Sequence, residues 1–108
     1  MYQLCFYVPK SHLEEVKTAL FKEGAGKIGN YDSCSWQTDG MGQFRPLNGS
    51  SPFIGDQNRV EHVSEVKVEM VCQNIFIKSV LKKLMEAHPY ETPAYCIYKI
   101  KTLQDFAL

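Results

Sequence analysis

Apolar residues recur with the same two periods in each half of the chain. From Gln3 to Val8 every second residue is apolar, which predicts a strand with one buried face. The spacing then changes to that of a helix with one apolar stripe, at Leu13, Val16, Leu20 and Phe21. The second half repeats this order, with a strand at Val66, Val68, Met70 and Cys72 and a stripe at Ile77, Val80, Leu81 and Leu84.

Local signals mark the ends of both predicted helices. Ser11 and Glu14 have the spacing of a capping box, and Gly24 stands where a left-handed residue commonly ends a helix. Asn74 is a candidate N-cap for the second helix. His88-Pro89 should end that helix, because the residue before a proline avoids the helical region.

The two halves also align position by position. Leu13 and Ile77 lie 64 residues apart, and so do Tyr31 and Tyr95. Two strand-helix-strand units with right-handed crossovers form a four-stranded antiparallel sheet with both helices on one face. The sequence therefore predicts an α+β, ferredoxin-like fold, and we expect residues 1–108 to form a single domain.

The segment between the halves predicts an extra β-hairpin after the second strand. Tyr31–Gln37 and Gln43–Leu47 flank Thr38–Gly42, whose glycines favour a turn. Asn48–Asn58 is rich in Gly, Ser, Pro and Asn and is expected to be a loop. Its apolar residues Pro52–Ile54 should pack against another part of the protein.

The sheet face opposite the helices is predicted to be moderately apolar. We assign five residues to it: Cys5, Tyr7, Val71, Tyr95 and Ile97. Exposed apolar patches of this kind usually mark an interface. We therefore expect a homo-oligomer, either a trimer or a dimer, unless the hairpin and loop of the same chain cover the face.

Charge narrows the classes of partner. Twelve basic and twelve acidic residues cancel, so no global field attracts nucleic acid or an anionic membrane. No apolar run approaches the length of a membrane span, and the N-terminus lacks the pattern of a signal peptide. We expect a cytoplasmic protein that binds neither nucleic acid nor membranes.

The four cysteines, Cys5, Cys34, Cys72 and Cys96, are scattered and include no Cys-x-x-Cys pair. Three of them lie in strand-like runs, where a cysteine acts as a small apolar residue. We expect reduced and mostly buried thiols. A metal site assembled through space is the alternative.

The run from His88 to Tyr95, His-Pro-Tyr-Glu-Thr-Pro-Ala-Tyr, has the most distinctive chemistry. Its two prolines hold it extended, with an imidazole, a phenol and a carboxylate within four residues. It is either a rigid helix terminator or a binding edge, to which Tyr90 would contribute. As metal ligands, His88 and Glu91 would need a third group, from Cys34 or from a second subunit.

Four further residues are candidates for ligand or interface contacts: Trp36, Phe44, Arg45 and Phe53. An aromatic ring beside a guanidinium is a common anchor in interfaces, although a single tryptophan is as often part of a core. No nucleophile-base spacing, phosphate-binding glycine loop or paired acidic motif is present. We therefore expect no catalytic residues.

The chain resembles two groups of proteins. His88-Pro89-Tyr90-Glu91 followed by Pro93 is similar to the His-Pro-Tyr-Glu-x-Pro run of CutA proteins, which are trimeric and linked to divalent-cation tolerance. A longer resemblance covers nearly the whole chain and includes Cys34, Gly42–Pro46, Pro52–Gly55, Glu65–Glu69 and Ala87–Tyr95. These residues resemble the CutA-like, PII-like domain inserted in YqfO proteins of the NGG-one-interacting-factor-three-like family.

This resemblance implies a stand-alone version of the insert, a noncatalytic oligomer with a regulatory or ligand-sensing role. The lobes that hold a dinuclear metal centre in YqfO proteins have no matching positions here, so we expect no cofactor. Two alternatives stay open: a divalent-metal-binding protein or small hydrolase that uses His88 and Glu91, and a module that docks on another protein. A small-molecule effector or a protein partner fits the resemblance.

Overall fold

Strands and helices alternate in the predicted order within residues 1–107, the part of the chain that the computed structural model describes. The elements are β1 (Tyr2–Pro9), α1 (Leu13–Lys22), β2 (Trp36–Phe44), β3 (Glu61–Cys72), α2 (Ile77–Ala87) and β4 (Tyr95–Lys99). Short 3-10 helices span Lys10–His12 and Leu103–Asp105. Neither α-helix is long and apolar enough to cross a membrane.

The four strands form one antiparallel sheet in the order β2-β3-β1-β4. In the two central strands, Tyr2 lies opposite Cys72 and Pro9 lies opposite Glu65. This interleaved order arises because each strand-helix-strand unit places its first strand in the centre and its second strand at an edge. The predicted α+β, ferredoxin-like fold is confirmed.

The core lies between the sheet and the two helices. Its fully buried residues are Leu4, Phe6 and Val8 from β1, Val66 and Val68 from β3, Val16 and Leu20 from α1, and Val80 and Leu84 from α2. These are the residues that the alternation and the helical stripes predict. Burial of apolar surface supplies the main favourable free energy of such a layer.

The signals for the helix ends were only partly correct. Gly24 has φ of 109°, and the N–H of Ala25 donates to the carbonyl of Leu20, so the predicted left-handed end of α1 is confirmed. Neither predicted N-cap is correct. A 3-10 turn places His12 at the N-cap of α1, and Phe76 rather than Asn74 precedes α2.

The prediction of an extra β-hairpin after the second strand was wrong. β2 runs without interruption through Thr38–Gly42 and pairs with β3 from Trp36, opposite Glu69, to Phe44, opposite Glu61. Residues 45–60 form the actual connection. The glycines do not make a turn here, because both pair with β3 within the continuous strand. Gly42 instead leaves space on the outer face, where a methyl group would overlap the Glu65 carboxylate.

The outer-face assignment was correct for β1 and β3 and wrong for β4. Tyr95 and Ile97 lie opposite Phe6 and Leu4, and they therefore share the face that carries the helices. Cys96 and Tyr98 face the other side. A shift of one residue in register exchanges all the side chains of a strand between faces, and alternation alone did not fix the phase of this short edge strand.

The helix layer gives a direct test of the core. Leu84→Ala should lower the free energy of unfolding by about 2–5 kcal/mol, because Leu84 is completely buried. The neighbouring Met85, 42% exposed on the other side of α2, is the control, and Met85→Ala should change stability by less than about 1 kcal/mol. Urea unfolding of both variants measures the difference, and equal losses would contradict this placement of α2.

Candidate ligand and interface site

The candidate site lies where the β2-β3 hairpin extends beyond β1. The β1-β3 pairing ends with Pro9 opposite Glu65, whereas β3 starts at Glu61, so the end of the hairpin has no support from β1. The segment 88–94 between α2 and β4 lies at this end of the sheet. Within this segment the side chains of His88, Tyr90 and Glu91 each contact a different part of the protein.

His88 ties the segment to β1. The side chain is buried, with its Nε2 atom 2.7 Å from the carbonyl oxygen of Tyr7 and its Nδ1 atom 3.1 Å from the backbone nitrogen of Tyr90. Nδ1 accepts from the Tyr90 N–H, so Nε2 carries the proton and donates to Tyr7. This is a neutral imidazole with both nitrogens hydrogen-bonded.

Burial lowers the pKa of His88 from its ordinary value of 6.5. The hydrogen bond to Tyr7 and the charge of Glu65 act in the opposite direction, and burial is the larger effect. The neutral ring therefore persists below the pH at which a solvated histidine gains its second proton.

The hydrogen bonds of His88 affect the alternative in which His88 and Glu91 bind a divalent metal ion. A metal ion at His88 would have to displace one of its two backbone hydrogen bonds. Cys34 does not join the site, because it lines a separate depression beside Trp36 and Val71. Within residues 1–107 no three His, Cys, Asp or Glu side chains are grouped so as to hold a metal ion. The metal alternative thus needs a ligand from a second subunit.

Tyr90 forms the second connection, to β3. Its hydroxyl donates to Oε2 of Glu65 over 2.6 Å. Burial, and then this contact with the carboxylate, raise the pKa of Tyr90 above its ordinary value of 10.0. The phenol therefore stays protonated and remains the donor. Gly42 is required for this arrangement, because its missing side chain leaves room for the carboxylate.

Glu91 and Phe53 fasten the 45–60 connection to the same segment. Oε2 of Glu91 accepts a hydrogen bond of 3.0 Å from the N–H of Ser51. The ring of Phe53 lies 6.3 Å from that of Tyr90 and meets His12 edge-on at 5.3 Å. The apolar part of the loop therefore has the packing partners that the sequence required.

Two adjoining depressions lie on either side of the Tyr90–Glu65 pair. One, of about 230 Å³, is lined by Phe44, Phe53 and Glu91. The other, of about 500 Å³, is bounded by β2 at its glycines and by Tyr7 and Lys67. Aromatic faces beside a carboxylate suit a small ligand with an apolar ring and hydrogen-bond donors.

The structure brings together five of the seven proposed ligand or interface residues: His88, Tyr90, Glu91, Phe44 and Phe53. Trp36 lies at the other end of β2 and is 70% exposed. Arg45 is exposed beyond the end of the strand. Sequence reasoning missed Glu65 and Ser51, whose roles depend on contacts with residues far away along the chain.

No family model matches the sequence. The chain is 42% identical over 99 residues to the GTP cyclohydrolase 1 type 2 homolog of Bacillus subtilis, a match that covers 92% of this chain and 26% of that protein. It is 45% identical over 94 residues to the protein of the same name from Mycobacterium tuberculosis, covering 87% of this chain and 25% of that one.

Solved structures give the same picture. A Bacillus cereus protein related to NIF3 superposes with a TM-score of 0.80 at 36% identity, over 94% of this chain and 26% of that chain. CutA1 from Pyrococcus horikoshii superposes with a TM-score of 0.68 at 16% identity, over 95% and 86% of the two chains.

The fold is thus that of the CutA-like class of ferredoxin-like proteins. More specifically, the chain is homologous to one part of the NIF3/YqfO-family proteins, and it spans about a quarter of the length of the curated relatives it matches. The resemblance inferred from the sequence is confirmed.

A pair of glycines tests the Tyr90–Glu65 contact. Gly42→Ala should lower the free energy of unfolding by about 1–2 kcal/mol, because the new methyl group displaces a carboxylate held by a hydrogen bond. Gly40→Ala is the matched control, since nothing lies within 4 Å of the added atom. In a Tyr90→Phe background the cost at Gly42 should shrink. Equal costs at the two glycines would refute the arrangement.

The buried neutral His88 makes stability depend on pH. Its pKa is lowered in the folded state, so the unfolded chain binds the proton more readily. This contribution is complete above about pH 7 and is lost as the pH falls below the unfolded pKa of about 6.5. Urea unfolding between about pH 7 and about pH 5 should show this loss. His88→Gln should flatten the profile, whereas substitution of the exposed His62 by Gln should leave it unchanged.

Proposed function

We propose that the chain is a noncatalytic, self-associating module of the cytoplasm with a regulatory or ligand-sensing role. The observation that carries this proposal is the outer face of the sheet. Tyr98 and Trp36 on this face are 58% and 70% exposed, and Tyr7 is 37% exposed. The 45–60 loop contacts the sheet at the Tyr90 end and leaves Tyr98 and Trp36 uncovered.

A second copy of the chain is the occupant that fits this face. β2 is an edge strand of nine residues, and its free edge offers unpaired backbone groups that favour the addition of another strand. The chain has a net charge of zero, so copies do not repel one another over long range. The exposed aromatic side chains of this face and the open edge of β2 together supply both parts of an interface.

His88 and Glu91 both make structural contacts, which supports a noncatalytic role. The imidazole nitrogens are occupied by backbone groups, and the Glu91 carboxylate holds the N–H of Ser51. A general base or nucleophile activator needs a free group within reach of substrate. A small effector would then bind in the depressions beside Tyr90.

The similar proteins agree with this proposal at a coarse level. The name of the curated relatives refers to whole proteins four times as long as the matched segment, so an activity located elsewhere in them does not follow for this chain. CutA from Nostoc sp. PCC 7120 is described as a PII-like protein.

Four free cysteines suit a reducing compartment such as the cytoplasm.

Native mass spectrometry of protein purified without chelator tests the proposal. We expect a trimer or a dimer at micromolar concentration, with an interface that buries more than about 1,000 Å². Trp36→Ala should weaken assembly by about 2 kcal/mol, which corresponds to a roughly thirtyfold higher dissociation constant, because it truncates an exposed aromatic anchor. Met85→Ala, which removes an exposed apolar side chain from the helix layer, should have little effect.

A strictly monomeric mass would reject self-association and leave the protein-docking alternative. The same spectrum reports any retained metal. A stoichiometric divalent ion that disappears in both His88→Gln and Glu91→Gln would establish the metal-binding alternative instead.

A further inference from the structure

Two thiols lie directly opposite one another on the outer face of the sheet, next to Tyr7, which also lines the larger depression. Cys5 on β1 pairs with Cys96 on β4, the strand whose faces the sequence assigned wrongly. Cys5 is 3% exposed, whereas Cys96 is half-buried, and both are free thiols. Only Cys96 is accessible to a reagent in solution.

The hydrogen bonds between the two strands fix the kind of position that the pair occupies. The N–H of Tyr7 donates to the carbonyl of Ala94, and the N–H of Ile100 donates to that of Met1. Hydrogen-bonded pairs alternate along an antiparallel ladder, so Cys5 and Cys96 form such a pair, with Cα atoms about 5.5 Å apart. That separation lies within the range of about 4.4–6.8 Å that a disulfide spans.

The other two cysteines cannot replace either member. Cys72 points to the helix face, where it is buried in the core. Cys34 lies in the connection before β2, beside Trp36. The register therefore selects one pair out of the six combinations of four cysteines.

The neighbours of the pair are polar groups that suit thiol chemistry. The side chains of Tyr7, Tyr98 and Lys67 share this face with the two cysteines, and the positive charge of Lys67 favours the Cys5 thiolate. Burial nevertheless raises the pKa of Cys5. Of these two thiols, the half-buried Cys96 reacts first and the buried Cys5 second.

We infer that Cys5 and Cys96 form a reversible dithiol-disulfide pair that exchanges with small disulfides such as glutathione disulfide. The Cys96 thiolate attacks one sulfur of glutathione disulfide and releases one glutathione thiolate, leaving a mixed disulfide. Cys5 then loses its proton to solvent and attacks the Cys96 sulfur, which releases the second glutathione. The two cysteines lose two electrons and two protons, and glutathione disulfide is reduced to two glutathione molecules.

Reversibility follows from the same geometry. Side chains at a hydrogen-bonded position lie farther apart than at the alternate position, so the disulfide must draw the edge strand inward. A strained disulfide is more easily reduced, which is typical of labile and regulatory bonds. The inference rests on the register of β1 and β4. Because Cys96 lies on the face proposed for self-association, its reaction is followed at a protein concentration at which native mass spectrometry shows the monomer.

Intact mass and peptide mapping of the native protein test the inference. The fully reduced chain is incubated with glutathione disulfide, the remaining thiols are alkylated, and the peptides are mapped without reduction. We expect Cys5 joined to Cys96 with the loss of two hydrogen atoms, Cys72 alkylated after unfolding, and the equally half-buried Cys34 either alkylated or joined to glutathione. Excess reduced glutathione should restore all four thiols.

Variants separate the two steps. The double variant Cys34→Ser/Cys72→Ser should form the disulfide as the wild type does, whereas Cys96→Ser should abolish it. Cys5→Ala should accumulate glutathione on Cys96, because the resolving thiol is missing. A lasting glutathione adduct on Cys96 in the wild type, a different pairing, or no reaction at Cys96 would each overturn the inference.

Discussion

The buried imidazole of His88 is the contact on which this end of the protein depends. It accepts from the N–H of Tyr90 and donates to the carbonyl of Tyr7, so one side chain joins the end of α2, the approach to β4 and the central strand β1. Leaving such a buried group without partners costs about 1–3 kcal/mol, which makes both bonds necessary at once. Tyr90 reaches Glu65 and Glu91 reaches Ser51 only because this join fixes the direction of the segment.

The two hydrogen bonds of His88 also explain why residues that are typical of a metal site have a structural role here. An imidazole can bind a metal or act as a base only through a nitrogen that is free, and here both nitrogens have backbone partners. The carboxylates of Glu65 and Glu91 are likewise engaged, one with a phenol and the other with an amide. What remains open to solution is the outer face with its exposed aromatic side chains, the edge of β2 and the depressions beside Tyr90, which favour binding over catalysis.

The fold was predictable because its signals are local. Alternation placed Phe6 and Val68 in the core, and Gly24 and His88-Pro89 gave the helix ends, since backbone conformation at these residues depends on near neighbours. The failures needed information from other strands. Gly42 favours a turn in isolation, and only its pairing next to Glu65 shows that it provides space. β4 has five residues, too few for its pattern to fix the buried face.

The candidate site, like the fold, was predictable only where its signals are local. The segment that contains His88, Tyr90 and Glu91 was recognisable because its residue types and prolines are unusual within one short run. Their partners Tyr7, Ser51 and Glu65 lie 25 to 81 residues away along the chain, and no local pattern identifies them.

The protonation state of His88 tests this account most directly. Nitrogen NMR of the ring, recorded on protein labelled at histidine, distinguishes the two neutral tautomers and the imidazolium. We predict the tautomer with its proton on Nε2, present at neutral pH and unchanged when zinc or copper is added. A proton on Nδ1, an imidazolium at neutral pH, or a ring resonance shifted by the metal would contradict the structural role of His88.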